Sequence, residues 1–147
     1  MKQVIDAAYR DHLDVTLANL FIAVNRAQRT RTTRDWALDI EQEVPGVAQR
    51  VDELSNAAFT RVAAVKVATP AGARFRAMML HGLQRQAASY RGLARDLATG
   101  EATTKVVRRW AGRFNALQRW YAHELALVVV AAPIRDQAAV RAALTNY

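Results

Sequence analysis

The sequence predicts an all-α protein, an antiparallel up-down-up-down four-helix bundle with a short C-terminal fifth helix. Three observations carry that expectation. Apolar residues recur at three- and four-residue steps through four long stretches, the spacing that lines one face of a helix. Breakers separate the stretches at 30–33, 69–72 and 98–100, and connections this short turn consecutive helices back on one another. No stretch alternates as a half-buried strand would. The chain has 147 residues, of which 52% are hydrophobic and 23% charged, with six Gly, three Pro and no Cys. That length suits a single domain spanning 1–147, and the composition excludes disordered and collagen-like chains. The absence of Cys excludes disulfides, thiolate metal sites and thiol nucleophiles.

Taken in order, the first helix is expected over 3 to about 30, on the stripe Ile5, Ala8, Tyr9, Leu13, Leu17, Leu20, Phe21, Val24 and Ala27. Thr32 or Thr33 can cap the second, whose first turn carries Asp35 at the favourable end of the helix dipole. Its stripe runs Trp36, Ile40, Val44, Val47, Val51, Leu54, Ala58, Val62 and Val65, in phase across Val44-Pro45-Gly46. Pro45 therefore either kinks one rod or divides two helices. Thr69-Pro70-Ala71-Gly72 closes this element, and the third follows on Phe75, Met79, Leu83, Tyr90, Leu93 and Leu97 to a cap at Gly100. The fourth starts near Thr103 or Thr104 and carries Val107, Trp110, Phe114, Leu117, Tyr121, Leu125 and Val128. Pro133 opens a terminal amphipathic brace over 134–144. Residues 125–132 are apolar on every side, so either the brace or a second copy of the chain must cover them. Leu125, Leu127, Val129 and Val130 are the candidate interface.

Formal net charge is +8. Residues 1–69 hold nine basic and nine acidic side chains, whereas 70–147 hold twelve and four. Such an excess suits an acidic protein surface or an anionic polymer such as nucleic acid, although an Arg-rich, Ala-rich composition also arises from a GC-rich genome. In the up-down arrangement Arg26, Arg29, Arg31 and Arg34 meet Arg91, Arg95, Lys105, Arg108 and Arg109 at one pole. Asp35, Asp39, Asp96 and Glu101 oppose them. Arg113 and Arg119 continue the charge down the fourth helix, with Trp110 and Trp120 interleaved. Trp110 is expected in the core, and Trp120, at the edge of its stripe, at a half-exposed position.

Catalytic and cofactor motifs are missing. No Glu-x-x-His, His-Glu-x-x-His, Gly-x-Ser-x-Gly, Gly-x-Gly-x-x-Gly or phosphate-loop pattern occurs. His81 and His123 fall on the far side of their helices from the apolar stripes, and His12 lies at a stripe edge, so no shared metal site is expected. One spacing is similar to that of the HEPN ribonucleases: an Arg with four to six residues before a His, as in Arg76 and Arg74 before His81. About one such match arises by chance in a chain with three His and 18 Arg. An apolar ligand held near Phe75 and Met79 is a further reading, against ordinary core packing.

The longest apolar run is 125–132, far short of the ~20 residues that cross a bilayer. The first residues lack the pattern of a secretory signal, as a cytoplasmic chain or one trimmed of its signal would. The expectation is a non-enzymatic interaction module, a small subunit or adaptor without cofactor or metal, docking through the basic pole or the apolar part of the fourth helix. A binder of nucleic-acid phosphates without base readout is the alternative, and a ribonuclease the lesser one.

Overall fold

A computed structural model describes residues 1–11, 13, 16 and 33–145. Among these the protein is all-helical. The elements are α1 (Lys2–Tyr9), α2 (Thr33–Ala64), α3 (Pro70–Leu97), α4 (Thr103–Val130), a 3-10 turn (Ile134–Asp136) and α5 (Gln137–Thr145). The helices pack as a bundle in which α3 lies against both α2 and α4, α1 against α2, and α5 against α4.

Cross-links between helices give their sense. On α2 and α3, Asp52 pairs with Arg91 and the Val65 carbonyl accepts from Arg76, so higher numbers on one meet lower numbers on the other. The same holds for α3 and α4 through Asp96 with Arg109, Tyr90 with Trp110, His81 with Trp120 and Arg74 with Glu124. Both pairs run antiparallel.

Three local points are decided. The first helix does not run on from 3 to about 30: α1 ends at Tyr9, with turn geometry at Arg10 and Asp11. At this end Arg61 of α2 docks, its Nε donating to the Ala7 carbonyl at 2.9 Å and its Nη1 meeting Asp11 at 2.6 Å. A continuing helix would have used that carbonyl for the Asp11 N–H. Leu13 and Thr16 are again helical and Leu13 is buried; the rest of the expected stripe lies outside the described residues, as does the Thr32 cap.

Second, α2 is one helix through Pro45 rather than two. Pro45 and Gly46 are exposed, so the carbonyl that proline leaves without an N–H faces the solvent side. Third, α2 stops at Ala64, five residues before the expected stop. Thr69 belongs to α3, where its extended backbone (φ −112°, ψ 150°) and its Oγ1, accepting from the Gly72 N–H at 3.1 Å, form the N-cap ahead of Pro70. Proline favours just this extended geometry in the residue before it.

Among the described residues the core gathers side chains of α1, Val4, Ile5, Ala7 and Ala8, with those of α2, α3 and α4. Small residues on α2, Ala48, Val51, Ala58 and Val62, face larger ones on α3, among them Phe75, Met79, Leu83 and Tyr90. Phe75 and Met79 are themselves buried core. On α4 the expected stripe is only partly enclosed: Trp110, Leu117 and Val128 are buried, while Val107, Phe114, Tyr121 and Leu125 are half-buried. Among the described residues α4 packs chiefly on α3 and little on α2. Among the described residues no helix is long and apolar enough to cross a membrane.

Candidate functional site

The α3–α4 connection is built around two carboxylates. α3 ends at Leu97, the chain turns through Gly100 at φ 77°, and α4 restarts at Thr103. Only glycine adopts that left-handed backbone freely. Arg109, one and a half turns into α4, reaches back to Glu101 at 2.7 Å and to Asp96 at 3.2 Å, joining the end of α3 to the start of α4. Lys105 also pairs with Glu101 at 3.0 Å, and Arg95 and Arg113 reach Asp96 at 3.4 and 3.5 Å. The Thr103 hydroxyl donates to Glu41 of α2, bringing that helix to the same end.

Four cations therefore share two carboxylates. The Glu101 carboxyl is lowered to about 2 by hydrogen bonds from Arg109 and then Lys105. Burial works to raise the Asp96 carboxyl, but the bonds and charges of Arg109 and Arg95 outweigh it and leave it below the ordinary carboxylate value. The Arg109 guanidinium is raised in return, first by its bond to Glu101.

A pH dependence follows. A carboxyl lowered by folding stabilises the fold above its unfolded value, near 4.5 for Glu101, and that contribution is lost as pH falls toward 2. Urea midpoints measured between those limits should fall more steeply for the parent than for Glu101→Gln. Parallel curves would show that the Arg109 clamp contributes nothing.

Of the residues expected at the pole, Arg95, Lys105 and Arg109 come together in this network, joined by Arg113 from farther down α4. Arg91 turns to Asp52 at 3.5 Å. Arg108 is exposed, with no carboxylate partner among the described residues, and Arg34 is exposed at the start of α2. Arg26, Arg29 and Arg31 lie outside the described residues, as does His12. Of the apolar candidates, Val129 is buried within the chain, Leu125 and Leu127 are half-buried, and Val130 is 69% exposed beside Ile134 at 89%. The brace appears as the 3-10 turn and α5, which packs on α4.

The Arg76 guanidinium donates to the Val65 carbonyl at 2.7 Å and so holds the α2–α3 connection. Five residues along a helix is about 140° of rotation, which turns Arg76 and His81 to different sides. Among the described residues no group of three or more His, Asp or Glu could hold a metal ion.

Sequence reasoning missed a cluster halfway along the α3–α4 pair. The Arg85 guanidinium carbon lies 4.9 Å from the Trp120 ring centroid, and the exposed His81 ring meets Trp120 edge-on at 5.0 Å. The available signal was the four-residue step from His81 to Arg85 on the polar side of α3.

Among the described residues the protein is an all-helical bundle whose α3–α4 turn carries four cations on two carboxylates, with Glu41 of α2 bonded at the same end. No family profile matches the chain, and no significant match exists among curated proteins or solved structures.

Proposed function

We propose that the protein is a non-enzymatic interaction module that docks an anionic partner on the cation-rich end of the α3–α4 pair. The observation that carries this reading is the four-on-two network. Arg95, Lys105, Arg109 and Arg113 hold their positions through Asp96 and Glu101, and with exposed Arg108 and the nearby Glu41 carboxylate the group keeps a net charge near +2. Cations ordered in advance lose less freedom on meeting an anion than free side chains do.

The test is binding of polyglutamate and of an oligonucleotide across a salt series. Arg95, Arg108 and Arg113 are replaced together by Ala, and Arg109 is left in place because it clamps the turn. Affinity should fall about tenfold or more at low salt, and the logarithmic salt slope should flatten by about three, one per cation removed. A salt-independent affinity, or one unchanged in the triple variant, overturns the proposal.

A further inference from the structure

The cluster at Arg85 lies on the same side of the α3–α4 pair as Arg113. His81, Arg85 and Gly92 fall in line on α3, at steps of four and seven residues, and Arg113, Ala116 and Trp120 fall in line on α4. The contacts agree: His81 and Arg85 meet Trp120, and a side chain at Gly92 would come within 3.9 Å of Arg113. Between the two cationic points the face is floored by small residues, Gly92 and the exposed Ala116. Seven residues of helix separate Arg85 from Gly92, about 10 Å.

Along this face the carboxylates are already engaged. Glu124 pairs with Arg74 at 2.9 Å, and Asp96 serves Arg95, Arg109 and Arg113. Arg85 has no carboxylate partner among the described residues. What orders it is the Trp120 ring, and a guanidinium held over an aromatic face keeps both its hydrogen-bonding edge and its outer face for a ligand.

We infer that this face binds single-stranded nucleic acid, with Arg85 on Trp120 stacking a base and Arg113 and His81 meeting the flanking phosphates. The inference rests on the anionic-partner reading and adds the partner's class. A stacked guanidinium plane beside phosphate-binding groups is how unpaired bases are held without reading their edges. An acidic protein surface needs charge alone and gains nothing from the ring. A duplex, whose bases are already stacked, offers only its phosphates.

The experiment uses the full chain and a fluorescein-labelled oligodeoxythymidine, read by anisotropy at low salt, with Arg85→Lys and Trp120→Leu as variants and Arg135→Lys as control. Arg85→Lys keeps the charge and removes the guanidinium plane. It should weaken binding about tenfold, as loss of one stacked base does, while Arg135→Lys stays within twofold. Circular dichroism melting confirms that each variant is folded, and if Trp120→Leu melts early the Arg85→Lys result stands alone. Trp36 and Trp110 are buried, so a change in tryptophan emission on binding reports Trp120. Unchanged affinity in Arg85→Lys, or displacement by polyglutamate as effective as by unlabelled oligonucleotide, overturns the inference. If Arg85→Lys is silent while the Arg95, Arg108 and Arg113 replacement loses binding, this inference falls and the cation-rich-end reading survives. If neither polymer binds, both fall.

Discussion

Replacing Gly82 by Ala is expected to destabilise the protein by about 1–3 kcal/mol, the range for forcing extra atoms into a packed contact. On helix propensity alone the change should stabilise α3 by about 1 kcal/mol, so the two arguments predict opposite signs. Geometry decides between them. A Cβ built on Gly82 would overlap the Tyr121 hydroxyl and lie 2.6 Å from its Cε1. Tyr121 has little room to yield, because Trp120 packs against it at 5.1 Å between ring centroids. Burial, with a smaller contribution from Tyr9, raises its phenol well above the usual value. Urea unfolding of Gly82→Ala, of Tyr121→Phe and of the double variant forms the test. Removing the hydroxyl should recover part of the loss, giving a coupling energy of at least about 0.5 kcal/mol. A more stable Gly82→Ala protein would show that α3 and α4 do not approach closely here.

The second large effect concerns Tyr90, which is fully buried and meets Trp110 at 5.6 Å between ring centroids. Truncation to Ala should cost about 3–5 kcal/mol, as for other buried aromatic rings, because the surroundings close only part of the cavity. Phe should behave quite differently. The Tyr90 hydroxyl is buried without a hydrogen-bond partner among the described residues, and burial raises it far above its ordinary value. An unpaired buried hydroxyl is a net penalty of about 1–3 kcal/mol, so Tyr90→Phe should match or exceed the parent in a urea titration. A loss greater than about 1 kcal/mol in Tyr90→Phe would reveal a hydrogen bond to that oxygen and refute the claim that it is unpaired.

What the sequence made legible was periodicity. The stripes on α2, α3 and α4 predicted those helices because core burial recurs every three or four residues, and Trp110 takes the buried place its step implied. Interruptions set by distant residues were not legible. At the end of α1, Arg61, fifty-odd positions away, takes a carbonyl that local pattern assigns to the helix. The early stop of α2 depends on Thr69 serving the following helix as its cap. Site reasoning met the same boundary: counting charges grouped Arg95, Lys105 and Arg109, but the sharing of Asp96 among Arg95, Arg109 and Arg113 is a matter of rotamers and turn geometry. The Arg85–Trp120 contact needed the register of two helices, which the apolar stripes define only to within about a turn.

The antiparallel order of α2, α3 and α4 also bears on how fast the chain finds its structure. Among the described residues the most extensive packing joins helices adjacent in sequence, through connections of only five residues each. Loops that short close in less than a microsecond, which favours early pairing of neighbouring helices. Each hairpin carries its own latch at the turn, Arg76 on Val65 for one and Arg109 on Asp96 and Glu101 for the other. Either can form before the rest of the bundle arrives. During synthesis α2 and α3 can therefore pair while α4 is still emerging, which shortens the time their apolar stripes stand open to other chains.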